Sequence, residues 1–177
     1  MTSQTSQTKP ELSYLTGYPD HLTDQIHQLI SQDRLGEILL QKYPNGHDVR
    51  TDRALYEYVV SLKNQYMRKA GQISKVKFDS KLHLTHKALG IHTSGSARHG
   101  SKLKNRREIH IAALFKQAPA DFLRMIVVHE LAHTKELDHN KAFYQLCLNM
   151  EPDYYQLEFD LRAYLTYLQA GGEVLWQ

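Results

Sequence analysis

The constraint that shapes every other reading of this chain is the run His129-Glu130-Leu131-Ala132-His133, set among apolar neighbours. Leu123, Ile126, Val127 and Leu131 recur at helical spacing around it, so the segment is predicted to be a helix with one buried stripe. On a helix four residues advance about 400°, which puts the two imidazoles on one face, one turn apart. Imidazole nitrogens at about 2.0–2.1 Å suit zinc. Glu130 sits beside His129 rather than on its stripe, where a carboxylate can reach a metal-bound water without ligating the metal. Zinc lowers the pKa of such a water to about 7, and the carboxylate can take its proton and deliver it to a leaving group. With 11 His and 9 Glu in 177 residues, chance supplies roughly 0.03 such motifs. The motif therefore points to a zinc-dependent hydrolase with one Zn2+ per chain, His129 and His133 as ligands and Glu130 as general base.

His139 extends the spacing to H-x3-H-x5-H. A continuous helix would carry it about 9 Å past His133 and off the shared face, so it ligates only if the helix stops and the chain folds back. Asp138 and Asn140 tolerate capping or left-handed conformations, and a new helical period begins at Ala142. No glycine lies between His133 and His139 to ease the turn, so spacing leaves a solvated loop histidine open. Cys147, on the stripe with Phe143 and Leu146, reads as a core residue rather than a fourth ligand. Glu136 is either an outer partner of a ligand imidazole or a solvated carboxylate. Tyr144, Tyr154 and Tyr155 could donate to a developing oxyanion or simply pack. His110 alternates with Ile109 and Ile111, which predicts that it points away from the core, into a cleft or into solvent.

Hydrophobic period divides the chain into three zones. From Asp20 to Ala70 it is helical, with Leu22, Ile26, Leu29 and Ile30 on one face. After the turn Pro44-Asn45-Gly46, Leu55, Tyr58, Val59, Leu62 and Tyr66 form another, with Thr51 as its N-cap. From Lys75 to Ala112 the period is two: Val76 and Phe78, Leu82 and Leu84, Leu89 and Ile91, Ile109 and Ile111. This predicts a small antiparallel sheet. From Pro119, suited to a first helical turn, to Leu168 the helical period returns, and Gly171-Gly172 ends it. The expectation is an α+β fold: N-terminal helices, a small sheet, the motif helix and C-terminal helices in one domain over residues 13–177. Residues 1–12 read as a disordered tail.

Residues 1–9 lack the basic start and apolar stretch of a secretory signal, and no segment approaches the roughly 20 apolar residues that span a bilayer. A single cysteine fits a reducing compartment, so the cytoplasm is expected and no membrane partner is. The net charge of +3 gives no strong nucleic-acid signal. Arg98, Lys102, Lys104, Arg106 and Arg107 instead make a local basic surface. The sequence is silent on oligomeric state.

His129 to Phe143, preceded by Arg106-Arg107-Glu108-Ile109-His110-Ile111 and Pro119, resembles the YgjP-like metallopeptidase-domain family, relatives of the SprT and WLM zincins. The resemblance runs almost end to end and includes Leu15-Thr16-Gly17-Tyr18-Pro19 and Met150-Glu151-Pro152. It implies a zincin-like fold with three ligands at His129, His133 and His139 and a catalytic Glu130. Departures from the broader pattern are Asp138-His139-Asn140 at the third ligand, Phe143-Tyr144 after it, and Glu136 where metzincins carry glycine. The resemblance implies peptide hydrolysis, and such proteins have also been associated with UTP pyrophosphatase activity. The substrate is thus a peptide or a nucleotide, and peptide hydrolysis is the first expectation. An extended peptide would pair with the strand Ile109 to Ala112 as a sheet edge, whereas a triphosphate would be held by Arg106 and Arg107, with His110 nearby. A metal-stabilised binding module without turnover is the third alternative.

Overall fold

The computed structural model describes residues 13–82, 91–99 and 102–177. The tail expected over residues 1–12, and Leu84 and Leu89, lie outside the described residues. A 3-10 turn at Ser13–Leu15 leads to helices α1 (Asp20–Ser31), α2 (Leu35–Lys42) and α3 (Asp52–Tyr66). Strands β1 (Lys75–Asp79), β2 (Ile91–His99) and β3 (Lys102–Ala112) follow, then a 3-10 turn at Ala113–Lys116. Helices α4 (Ala120–His133), α5 (Lys141–Met150) and α6 (Tyr154–Gln169) complete the chain. This is the expected α+β order, and no helix among the described residues is long and apolar enough to cross a membrane.

Local signals account for several helix ends. The Thr51 hydroxyl accepts from the Ala54 amide at 3.1 Å, which caps α3 as its spacing predicts. Pro119 stands at the N-cap of α4, one residue before the helix proper. At the end of α6 Gly171 takes φ +93°, and the Gly171 and Gly172 amides bond the carbonyls of Leu168 and Tyr167. The break between α1 and α2 was not expected. It turns on Asp33 at φ 54°, after which the Arg34 amide bonds the Leu29 carbonyl at 2.9 Å.

The sheet corrects the antiparallel expectation. Its order is β1-β3-β2; β2 and β3 are antiparallel, but β1 runs parallel to β3, with Val76 opposite Ile109 and Phe78 opposite Ile111. Alternation reports that a segment is a strand, not its direction. Residues 80–101 between β1 and β3 are long enough for the crossover that a parallel pair needs. β3 is consequently the central strand, with both edges paired.

The buried hydrophobic residues form one cluster that reaches from Leu15 to Trp176. α4 runs through it, and every side chain from Met125 to Ala132 is buried. α6 packs against α4 and also against α2, where Asp160 accepts from the Tyr43 hydroxyl and from Lys42 Nζ at 2.5 Å. Trp176 closes this side, donating to the Tyr43 carbonyl at 3.0 Å and meeting Phe122 edge-on. Burying α4 from Met125 to Ala132 leaves its C-terminal end, at His133, as the place where a polar site can open.

Candidate metal centre

α4 ends on His133, the second histidine of the motif. Thr134 stays helical, its hydroxyl bonds the Leu131 carbonyl at 2.6 Å, and the amides of Lys135 and Glu136 both bond the Ala132 carbonyl at 3.0 Å. Asn140 then caps α5, its side-chain oxygen accepting from the Phe143 amide at 2.9 Å. Among the described residues Asp33 is the non-glycine with positive φ, so the reversal uses no left-handed residue. That removes the objection that a glycine is missing between His133 and His139.

The reversal returns His139 to the motif. Nε2 of His129 lies 3.1 Å from Nε2 of His133 and 3.3 Å from Nε2 of His139, and the third side is 3.0 Å. Three donors on a tetrahedral zinc at about 2.0–2.1 Å stand about 3.3–3.4 Å apart, so the triangle has the size that an ion requires. The other ring nitrogens face protein groups. His133 Nδ1 lies 3.0 Å from the Glu136 carbonyl, which can only accept, so the proton of His133 sits on Nδ1 and its Nε2 carries a lone pair. His129 Nδ1 lies 2.6 Å from the Tyr154 hydroxyl. Burial holds all three imidazoles below the usual histidine pKa, His129 furthest, and there the neighbouring His133 and His139 add to the effect. Converging neutral imidazoles are a donor set for a metal ion, and His129, His133 and His139 are grouped closely enough to hold one. The set grades from buried His129 to exposed His139, so the His139 side is the open one.

Glu130 is 1% exposed, and neither carboxylate oxygen has a hydrogen-bond partner. Burial pushes its carboxyl up to about 8. A buried carboxyl without a protein partner is costly unless something else meets it. Glu130 directly follows His129 in the chain, and the motif chemistry expects a carboxylate at this position to meet a water held at the imidazoles.

Other candidates are placed differently. Cys147 is fully buried, as the core reading predicts, and burial lifts its thiol to about 12. Glu136 does meet a ligand imidazole, through its carbonyl, while its carboxylate accepts from Asn140 Nδ2 at 3.2 Å. His110 does leave the core, but its Nδ1 lies 3.1 Å from Asp79 on β1 and not in the triangle. The Arg107 guanidinium packs over Gly71, 3.3 Å from where a Cβ would stand. The side chain of Arg106 lies outside the described part of the chain.

Two contacts escaped sequence reasoning. Phe143, fully buried, sets its ring 5.0, 4.6 and 4.8 Å from the rings of His129, His133 and His139. Tyr154 is fully buried against His129 rather than turned toward a substrate, which removes it as an oxyanion donor. The phenylalanine had a local signal, four residues after His139 on the apolar face of a new helix. The tyrosine had none. Its position follows from the α5–α6 turn, which Arg124 of α4 pins by donating to Glu151 at 2.7 Å and to the Met150 carbonyl at 2.7 Å.

The model of the family described as YgjP-like, metallopeptidase domain, matches residues 5–164. The chain belongs to the YgjP-like family. A relative from Escherichia coli (strain K12), named UTP pyrophosphatase, is 55% identical over 160 residues, which cover 90% of this chain and 96% of that protein. No solved structure matches. The YgjP-like match contains all three imidazoles, Glu130, Phe143 and Tyr154. The family description and the relative's name both denote hydrolases, and the former suggests a metal ion.

Proposed function

We propose that this YgjP-like chain, over residues 13–177, is a zinc-dependent hydrolase that cleaves a nucleoside triphosphate such as UTP and releases pyrophosphate. The observation that carries the hydrolase reading is the triangle of Nε2 atoms beside a buried, unpartnered Glu130. The substrate class is supported by the name of the 55% identical relative. Bound at the three imidazoles, zinc supplies Lewis acidity that stabilises charge on a phosphoryl oxygen and acidifies a water. Glu130 takes the proton of the attacking water as its oxygen bonds to the α-phosphorus. The α–β anhydride bond breaks, pyrophosphate leaves with the electron pair, and Glu130 returns the proton to it.

This reading reverses the first expectation of peptide hydrolysis, and one structural fact favours the reversal. Of the strand expected to pair with a peptide, Ile109 to Ala112, the residues Ile109 and His110 already pair with β1 on one side and β2 on the other. Main-chain addition is blocked at those two residues. Peptide hydrolysis remains the second reading, favoured by the family's description.

The test is pyrophosphate release from UTP by the zinc-loaded chain, run beside cleavage of a neutral peptide and of a denatured protein. Expected are pyrophosphate release by wild type and its loss in Glu130→Gln with zinc content unchanged. Zinc-loaded wild type that leaves UTP and other nucleoside triphosphates intact refutes the substrate class, and peptide cleavage alone installs the second reading. Turnover unaffected by Glu130→Gln removes Glu130 as the base. Without any turnover, the chain is a metal-stabilised binding module.

A further inference from the structure

We infer that Tyr154 is a positioning residue that holds the His129 ring and keeps its proton on Nδ1, so that Nε2 is free for a metal ion. The inference rests on the reading of the three imidazoles as a metal centre. A neutral imidazole carries one proton, and a ring that ligates through Nε2 must carry it on Nδ1. For His133 the choice is forced, because the Glu136 carbonyl at 3.0 Å accepts and never donates. For His129 it is not, because a hydroxyl 2.6 Å from Nδ1 can do either. If Tyr154 donates to Nδ1, Nε2 of His129 carries a proton aimed at its two neighbours 3.1 and 3.3 Å away, where an ion belongs. If Tyr154 donates elsewhere, its oxygen accepts from Nδ1 and the lone pair of Nε2 faces the site.

The Nε2 triangle decides between the two. Three ring nitrogens 3.0–3.3 Å apart leave no room for a ring proton beside an ion, so with a metal bound the Tyr154 oxygen accepts from Nδ1. Tyr154 is fully buried, so no solvent competes for that bond. Ring orientation is fixed in the same way. His129 is clamped between the Tyr154 hydroxyl on one edge and the Phe143 ring 5.0 Å away. Tyr154 acts through His129, the ring it bonds.

The test measures zinc affinity by chelator competition on the full chain for wild type and Tyr154→Phe. Melting temperatures of the zinc-free proteins and the 15N shifts of the His129 ring are read in parallel. Loss of an outer partner of a ligand histidine costs about 10–100-fold in metal affinity, and that is the fall expected for Tyr154→Phe. Its His129 shifts should move away from the pure Nδ1–H pattern of the zinc-loaded wild type. Affinity of Tyr154→Phe within about twofold of wild type, with only its melting temperature lowered, makes the tyrosine a packing residue and overturns the inference. Wild type without zinc affinity is a separate failure, because it removes the metal centre itself and the inference with it.

Discussion

Phe143 is where core packing and the metal centre meet, so its removal tests both at once. Its ring is fully buried and lies within 5.0 Å of all three imidazole rings. Phe143→Ala deletes the largest part of a buried side chain from a site hemmed in by α4 and the α4–α5 turn, and such changes cost about 3–5 kcal/mol. For a chain of this size each kcal/mol is worth about 2–4 °C, so the zinc-free protein should melt roughly 6–20 °C lower. A second loss should appear in zinc affinity, about 10–100-fold, because the rings lose the surface that aligns them. Calorimetry of the zinc-free variant gives the first quantity and chelator competition the second. Phe143→Leu, which refills much of the volume, guards against a variant that does not fold and should recover most of the stability. A melting temperature within about 2 °C of wild type refutes the packing argument. A full stability loss with unchanged zinc affinity refutes the idea that the ring organises the imidazoles.

Three shorter expectations follow from the same geometry. The His129→Ala, His133→Ala double variant should lose its one zinc per chain and no longer gain thermal stability from added zinc; metal analysis showing full retention excludes the site. His139→Ala removes one corner of the triangle and should weaken zinc binding by orders of magnitude while leaving α4 intact by circular dichroism; near-normal affinity returns His139 to a loop role. Gly172→Ala places a Cβ 2.4 Å from the Tyr167 ring and should cost about 1–3 kcal/mol in thermal unfolding; an unchanged melting temperature means the C-terminal segment moves away freely.

What was legible in the sequence is what is local. Thr51 caps α3 because a hydroxyl reaches an amide three residues on, and His129 shares a face with His133 because a helix turns in 3.6 residues. His139 was harder. Its role depends on how residues 134–140 close the helix, and the means, two amides sharing the Ala132 carbonyl and an asparagine cap, leave only the cap visible in advance. The direction of β1 against β3 was not readable, since both strands alternate whichever way they run. Nor was the split of α1 from α2 at Asp33, where a non-glycine residue takes a left-handed conformation. The sequence left Tyr154 open between an oxyanion donor and a packing residue, because α4 and α6 meet through tertiary packing and no spacing rule links positions 25 residues apart.

The economy of buried polar groups argues for the centre independently of the motif. Among the described residues, Lys63, His129, Glu130, Glu158, Asp160, Arg162 and Thr166 are the buried polar or charged ones. Glu158 and Arg162 pair with each other, Asp160 is met by Tyr43, Lys42 and Gln156, and Thr166 donates to the Arg162 carbonyl. Lys63 reaches Asn64, and His129 has Tyr154. Of these seven, Glu130 alone has both side-chain oxygens buried without a partner. A fold that satisfies the other six has the means to satisfy a seventh or to replace it with an apolar residue, and either would be more stable. A carboxyl kept unpaired beside three inward-facing imidazoles is therefore best explained by a partner that arrives from outside the chain. Water activated at a metal ion is such a partner.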